Sequence, residues 1–276
     1  SGGSATTDSN GTFRHTLSAG WSGALTPSKS GHTFTPASVS ISSLSSYSVG
    51  KAFTATRSKV LYVNPSASGS GDGSSWADAY ADLNTALRSE HPFDEVWVAK
   101  GTYKPGIVRP ATFLLPPGIP VYGGFAGTEA SREERDANTN LTTLSGDLGI
   151  ANDDSDNAYH VVIPSEGSFL DGFIIRDGNA SEDLTDDRGQ GGALWAEKVA
   201  FTINNCAIGL NKARQKGGAV FLNESNATFT NCGFYYNDSV GRGGSLYSKD
   251  SKVTITGCLF QTNTSEANGG ALAGQN

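Results

Sequence analysis

Two short runs of acidic residues are the first places in the chain that could hold an ion or move a proton: Asp147, Asp153, Asp154 and Asp156, then Glu182, Asp183, Asp186 and Asp187. Carboxylate oxygens are hard ligands, and several of them within one loop are what a calcium ion takes. Lys212, Arg214, Lys216 and Arg242 could supply positive charge nearby. Both acidic runs read as loops, where solvated charge is the ordinary outcome. No cofactor is therefore expected, and a structural calcium site stands as the alternative, with no ligand set assigned.

Other chemistries lack their residues. His15, His32, His91 and His160 are far apart, fall in different elements, and none has metal-ligand spacing to another. H-E-x-x-H, G-x-S-x-G, the phosphate-loop motif and the dinucleotide-binding glycine motif are all missing. No catalytic and no cofactor-binding residue is assigned. A net charge of −7, with the acidic residues scattered, argues against a nucleic-acid partner. No run approaches the roughly 18 apolar residues that suggest a membrane span.

Cys206, Cys232 and Cys258 form no C-x-x-C pair, so zinc and redox motifs are poor readings. Their spacing is the informative feature, because each lies 26 residues from the next. Asn211, Asn237 and Asn263 keep the same interval, and so do the Gly-Gly pairs that begin at Gly191, Gly217, Gly243 and Gly269. A fixed period of this size means stacked structural units. The cysteines are expected as small buried side chains filling one interior column. Disulfides between adjacent units would be strained but geometrically accessible. The asparagines, placed where a strand must turn, are expected to form an amide ladder.

Within each unit, apolar and polar residues alternate. Phe201, Ala227 and Val253 share one column and Ile203, Phe229 and Ile255 another, with Thr202, Thr228 and Thr254 between them. That is the pattern of a strand with one buried face. Further apolar columns hold Ile208, Phe234 and Phe260, then Leu194, Val220, Leu246 and Leu272. Copies of equal length with the same strand at the same offset predict one coil per copy, with like strands stacked in parallel about 4.8 Å apart. The fold class is all-β: a parallel β-helix, expected to be right-handed.

GGALW, GGAVF, GGSLY and GGALA, separated by I-G-L-N, F-Y-Y-N or F-Q-T-N, resemble the paired G-G-A-[ILV] and F-x-x-N motifs of the polymorphic outer membrane protein repeat family. The fit departs at Ser245, where Ala is usual, and at Ile208, where Phe is usual. Upstream, LYVNPSASGSGDGSSWADAYADLNTAL, VWVAKGTYKP, VYGGFAGTE and LDGFIIRDGNA are similar to the first coils of secreted bacterial right-handed β-helix proteins. That group includes surface proteins, adhesins and polysaccharide lyases, so it implies a fold more than a chemistry. The lyases bind calcium through carboxylates beside a basic residue on one outer face. Here the outward strand columns carry Thr and Asn instead. Stacked threonines also raise an ice-binding reading, although Thr suits any exposed strand face.

Ser74 or Ser75 is expected to cap a short helix in which Trp76, Tyr80, Leu83 and Leu87 recur at helical spacing and cover the bottom of the stack. Residues 1–57 alternate in short segments between Gly, Pro and Ser clusters, the pattern of a small β-sandwich. They are similar to Ig-like or prealbumin-like modules, with the opening strand missing. Residues 58–276 hold the β-helix, with regular coils from 191. The chain contains no methionine, so it reads as a processed product or a fragment. Both ends read as unfinished, which predicts unpaired strand edges open to neighbouring copies. Strand donation or end-to-end stacking of that kind would make a filament. The function expected is that of a secreted or cell-surface structural, adhesin-like protein that meets carbohydrate or a cell surface; the alternative is a polysaccharide lyase-like enzyme.

Overall fold

Alternation in sequence becomes alternation of faces. Ala200–Asn204 forms a strand with Phe201 and Ile203 buried and Thr202 and Asn204 turned outward. The chain then makes three shorter strands, Ala207–Gly209, Lys212–Ala213 and Val220–Asn223, before Asn226–Thr230 returns to lie parallel to Ala200–Asn204. Pairing is one to one: Phe201 faces Ala227 and Ala227 faces Val253, while Ile203 faces Phe229 and Phe229 faces Ile255. Each repeat is thus one circuit of four strands.

The computed structural model describes residues 3–29, 32–45, 50–57, 60–90, 93–151, 153–182 and 187–275. The chain divides into two compact units, Ser1–Ser58 and Lys59–Asn276. In the first, Gly23–Leu25 pairs antiparallel with Val39–Ile41 and His32–Thr35 with Thr54–Arg57. None of its residues whose exposure is described is fully buried. The second unit is nearly all-β with long parallel sheets, as in a parallel β-helix. Its strands line up in sheets of seven, six, six and four. The seven-stranded sheet runs from Val60–Val63 through Glu95–Ala99, Pro120–Phe125, Ser168–Asp171, Ala200–Asn204 and Asn226–Thr230 to Lys252–Thr256.

Corners explain the Gly-Gly pairs. Each regular coil turns at residues of positive φ: Lys198, Glu224 and Asp250 at one corner, Asn205, Asn231 and Gly257 at the next, Leu210, Tyr236 and Thr262 at a third. At the fourth corner only glycine appears. A Cβ on Gly217 (φ 62°) would collide with the carbonyl oxygen of Val220, and one on Gly218 with that of Gly244. Three corners therefore accept an L side chain at some cost, and the fourth accepts none.

Inside the coils the columns compensate one another in volume. Ala227 sits beneath Phe201, and the space goes to Phe229, whose ring meets Phe201 edge-on at 6.1 Å and Phe234 at 5.6 Å. Phe234 and Phe260 stack at 4.5 Å. The asparagine column is a buried amide ladder. Asn211 Nδ2 donates to Asn237 Oδ1 at 3.0 Å, and Asn237 Nδ2 to Asn263 Oδ1 at 2.9 Å. Each amide oxygen also accepts the backbone N–H of the asparagine one coil before, at 3.1 and 3.0 Å. These bonds satisfy strand-end groups that would otherwise be orphaned in the interior.

The helix differs from its sequence expectation. It spans only Leu83–Leu87 and is capped by Asp82, which accepts from the Thr85 N–H at 2.7 Å. Ser74 and Ser75 cap nothing helical: the Ser75 hydroxyl donates to Asp78, within a run of turns. Tyr80 forms a parallel bridge to Val63, and Trp76 leaves the helical stripe for an aromatic cluster on the outside of the seven-stranded sheet. Leu83, Ala86 and Leu87 do bury against the core that contains Leu61 and Val63.

Candidate functional site

The acidic runs are neighbours in sequence more than in space. Asp147 pairs with Lys104 at 3.4 Å, and Asp154 pairs with Lys212. Asp153 accepts from the Ser155 N–H at 2.9 Å, and Ser155 holds its carboxyl below the ordinary carboxylate range. Asp156 accepts from the Ile150 N–H at 2.7 Å. Glu182 faces Arg109 at 3.3 Å and accepts from the Tyr159 hydroxyl at 2.8 Å. Asp183, Asp186 and His91 lie outside the described residues, as do the side chains of Asp187 and His32. Among the described residues, no group of three or more His, Cys, Asp or Glu side chains is placed to hold a metal ion.

The side chains of Lys212 and Lys216 are engaged as well, and the backbones of Arg214 and Arg242 are held by neighbouring coils. Lys212 is the partner of Asp154, Lys216 lies 4.7 Å above the ring of Tyr247, and Lys216 bridges in parallel to Arg242. The Arg214 N–H donates to Ala180 O. Arg109 carries most of this region. Its guanidinium lies 4.2 Å over Tyr159, and it donates to Asn157 O, Asn179 O and Ser181 Oγ at 2.9, 2.9 and 2.8 Å. Every one of these contacts joins coil to coil, so the cluster is a brace.

The cysteines are three free thiols stacked in register. Burial pushes the Cys206 thiol up, and burial pushes that of Cys232 up to about 12. Burial of this kind disfavours the thiolate, the form that acts as a nucleophile.

One polar groove remains, at the corner where the seven-stranded sheet gives way to its six-stranded neighbour. Asp171, at the end of Ser168–Asp171, meets Arg135 from the loop after Pro120–Phe125, with Arg135 NH2 2.6 Å from Asp171 Oδ1. Arg135 NH1 also donates to Gly123 O at 3.0 Å. From the next coil Asn205 Nδ2 donates to both oxygens of Asp171, at 3.2 and 3.1 Å. One coil further, Asn231 Nδ2 donates to Asn205 Oδ1 at 3.3 Å. A row of planar polar groups thus climbs the corner. Beside it lies a hollow of about 470 Å³, bounded also by Ala207, Gly233 and Tyr235 and, across it, by Asp136, Ala137 and Asn138.

Tyr235 owes its position to Gly233. The two residues point to the same face of their strand, and a Cβ on Gly233 would collide with the Tyr235 ring, which therefore lies against the strand itself. Across the groove Asp136 is turned into its own loop, where Thr139 and the Asn138 N–H hold its carboxyl below the usual range. It is a fixed carboxylate and not a proton donor. With Asp171 locked to Arg135, the groove can bind hydroxyls and amides.

Sequence reasoning missed this groove. Asn205 and Asn231 keep the 26-residue period, but it breaks at Gly257. Arg135 and Asp171 belong to irregular coils and carry no spacing signal.

A second hollow of about 470 Å³ is lined mostly by apolar side chains, among them Leu87, Phe93, Leu115, Pro117 and Ile119. It brings no chemistry together.

No protein-family model matches the chain, and no curated protein matches it. Among solved structures it is similar to the pectin methylesterase from Aspergillus niger, in penultimately deglycosylated form. The identity is 13%, the alignment covers 79% of this chain and 86% of that one, and the TM-score is 0.31. So distant a likeness assigns no activity.

Proposed function

We propose that the chain is an extracellular or cell-surface structural protein, adhesin-like, in which a right-handed β-helix serves as a stem and residues 1–57 form an Ig-like module. The observation that carries this reading is the outer face of the regular coils. Thr202, Thr228 and Thr254 form one rank in register, and Asn204, Thr230 and Thr256 a second. Cys206, Cys232, Asn211 and Asn237, which would be reactive or ligating residues, are buried in the interior. A surface of hydroxyls and amides suits contact with a matrix. Assembly of neighbouring copies into a filament belongs to the same proposal.

A carbohydrate-active enzyme is the second reading, favoured by the Arg135–Asp171 groove. Incubation with polygalacturonate and with methyl-esterified pectin separates the two. The stem reading expects neither unsaturated product nor released methanol above a blank; steady turnover of either substrate would replace it with the enzyme. Negative-stain microscopy tests assembly, with rods or filaments expected and uniform monomers counting against the filament.

A further inference from the structure

We infer that the groove at Asp171, Asn205, Asn231 and Tyr235 is a binding site for a neutral saccharide. The inference rests on the adhesive reading and gives that reading its ligand class.

The volume, about 470 Å³, falls within the range of small-ligand sites. Its lining has the two parts that sugar recognition requires. One is a flat apolar surface for the C–H face of a pyranose, supplied by the half-buried ring of Tyr235. The other is a set of planar polar groups: the Asn205 and Asn231 amides, which both donate and accept, with the Asp171 carboxylate as acceptor and the Arg135 guanidinium as donor. These groups are already held by one another before any ligand arrives. Asp171 takes three hydrogen bonds from Arg135 and Asn205, and its side chain is only 8% exposed. Little ordering is left for binding to pay.

The repeat shows that this arrangement is specific to one level of the stack. Gly233 and Tyr235 correspond to Ala207 and Gly209 one coil earlier and to Leu259 and Gln261 one coil later. Only in the middle coil does a glycine sit beneath an aromatic ring. The coil before it, with Ala207 and Gly209, leaves the floor beside the ring shallow.

Charge selects the ligand. The Arg135 guanidinium and the Asp171 carboxylate cancel, and Asp136 on the opposite rim leaves the groove with a net negative charge. Among the described residues of the groove no second cation balances Asp136, so a polyuronate would meet a carboxylate of its own sign. A chain of neutral sugars meets hydroxyl-matched partners and no repulsion.

The test is isothermal titration calorimetry of the full chain with neutral hexasaccharides of glucose (β-1,4 and α-1,4), xylose, mannose and N-acetylglucosamine, and with hexagalacturonate. At least one neutral oligomer is expected to bind one to one, with hexagalacturonate weaker or silent. Tyr235→Ala should weaken that binding about tenfold. Gly233→Ala keeps every binding group and only lifts the ring, and since Ala occupies the equivalent position 207 the backbone tolerates it; it should also weaken binding. Tyr236→Ala, exposed and outside the groove, should leave it unchanged. The assignment is overturned if none of these oligomers binds, if hexagalacturonate binds best, or if Tyr235→Ala binds as wild type does. A well-folded, unaltered stem without saccharide binding would sink the groove assignment alone, whereas turnover of pectin would sink the adhesive reading beneath it.

Discussion

The first coils and the last three solve one packing problem by different means. From residue 191 onward, the outer face of the seven-stranded sheet is bare, and stability comes from apolar residues at equivalent positions standing over one another and compensating in volume. Before residue 180, that same outer face is covered. Tyr62, Trp76, Trp97 and Phe125 pack on it at centroid distances of 4.8 to 6.4 Å, and the Trp76 indole donates to Glu129 O at 2.9 Å. Tyr122 continues the patch, with Phe169 at 5.7 Å and the guanidinium groups of Arg132 and Arg135 over its ring at 4.8 and 5.1 Å. Repetition removes the need for loops, and loops remove the need for repetition. The groove lies at the boundary, where a loop from the irregular part meets amides from the regular part.

The largest effect expected of a single change is in the regular core. Phe229→Ala leaves a hole between Phe201 and Phe234 in a rigid column and should cost about 4 kcal/mol in denaturant unfolding. Trp97→Ala opens the outer cluster instead, where Trp97 stacks on Phe125 at 4.8 Å. The covering loops can settle into part of that space, so about 3 kcal/mol is expected. If the second loss exceeds the first, the irregular coils are the stiffer part and the comparison is inverted.

These two regions were not equally legible. In the regular coils one column predicts its neighbours, because each residue meets its own equivalent above and below. Ile203, Phe229 and Ile255 could be placed from spacing alone. In the irregular coils a 3.6-residue pattern misled: Trp76 and Tyr80 matched a helical stripe with Leu83 and Leu87, yet Trp76 joins the outer cluster and the backbone of Tyr80 bridges to Val63. The Asp171–Arg135 pair joins residues 36 apart through a loop whose course no local pattern specifies. Acidic density alone did not assign partners, and the described carboxylates are held separately by turns and by single cations.

A smaller effect distinguishes the loops by pH. Burial raises the Glu129 carboxyl, but the N–H groups of Ala126, Thr128 and Gly127 outweigh it and hold it below its ordinary value of 4.5. A depressed folded-state value means that its contribution is fully present above that ordinary value and fades as pH falls through the folded one. Glu129→Gln should therefore cost about 1 kcal/mol at neutral pH. That difference should shrink to nothing in acid, as followed by thermal unfolding across pH. A cost that does not change with pH would show that the carboxylate charge is not what organises the loop.

The smallest effect belongs to the bare face. Thr228→Val keeps the β-branched shape and removes a hydroxyl that faces solvent, so stability should change by less than about 0.5 kcal/mol. A larger loss would mean that the hydroxyl ranks hold the stack together, and that the outer face is structural in the regular coils as well.

The stacking itself is tested by removing one turn of it. Deleting residues 217–242 takes out one full period and joins Lys216 to Gly243, so that Leu194 regains Leu246 as its neighbour and Phe201 regains Val253. Deleting only residues 217–229 breaks the phase. Circular dichroism with denaturant unfolding should show a cooperatively folded β protein for the full-period deletion and a collapsed, non-cooperative chain for the half-period one. Equal loss of folding in both, or equal tolerance of both, would contradict a stem built of interchangeable coils.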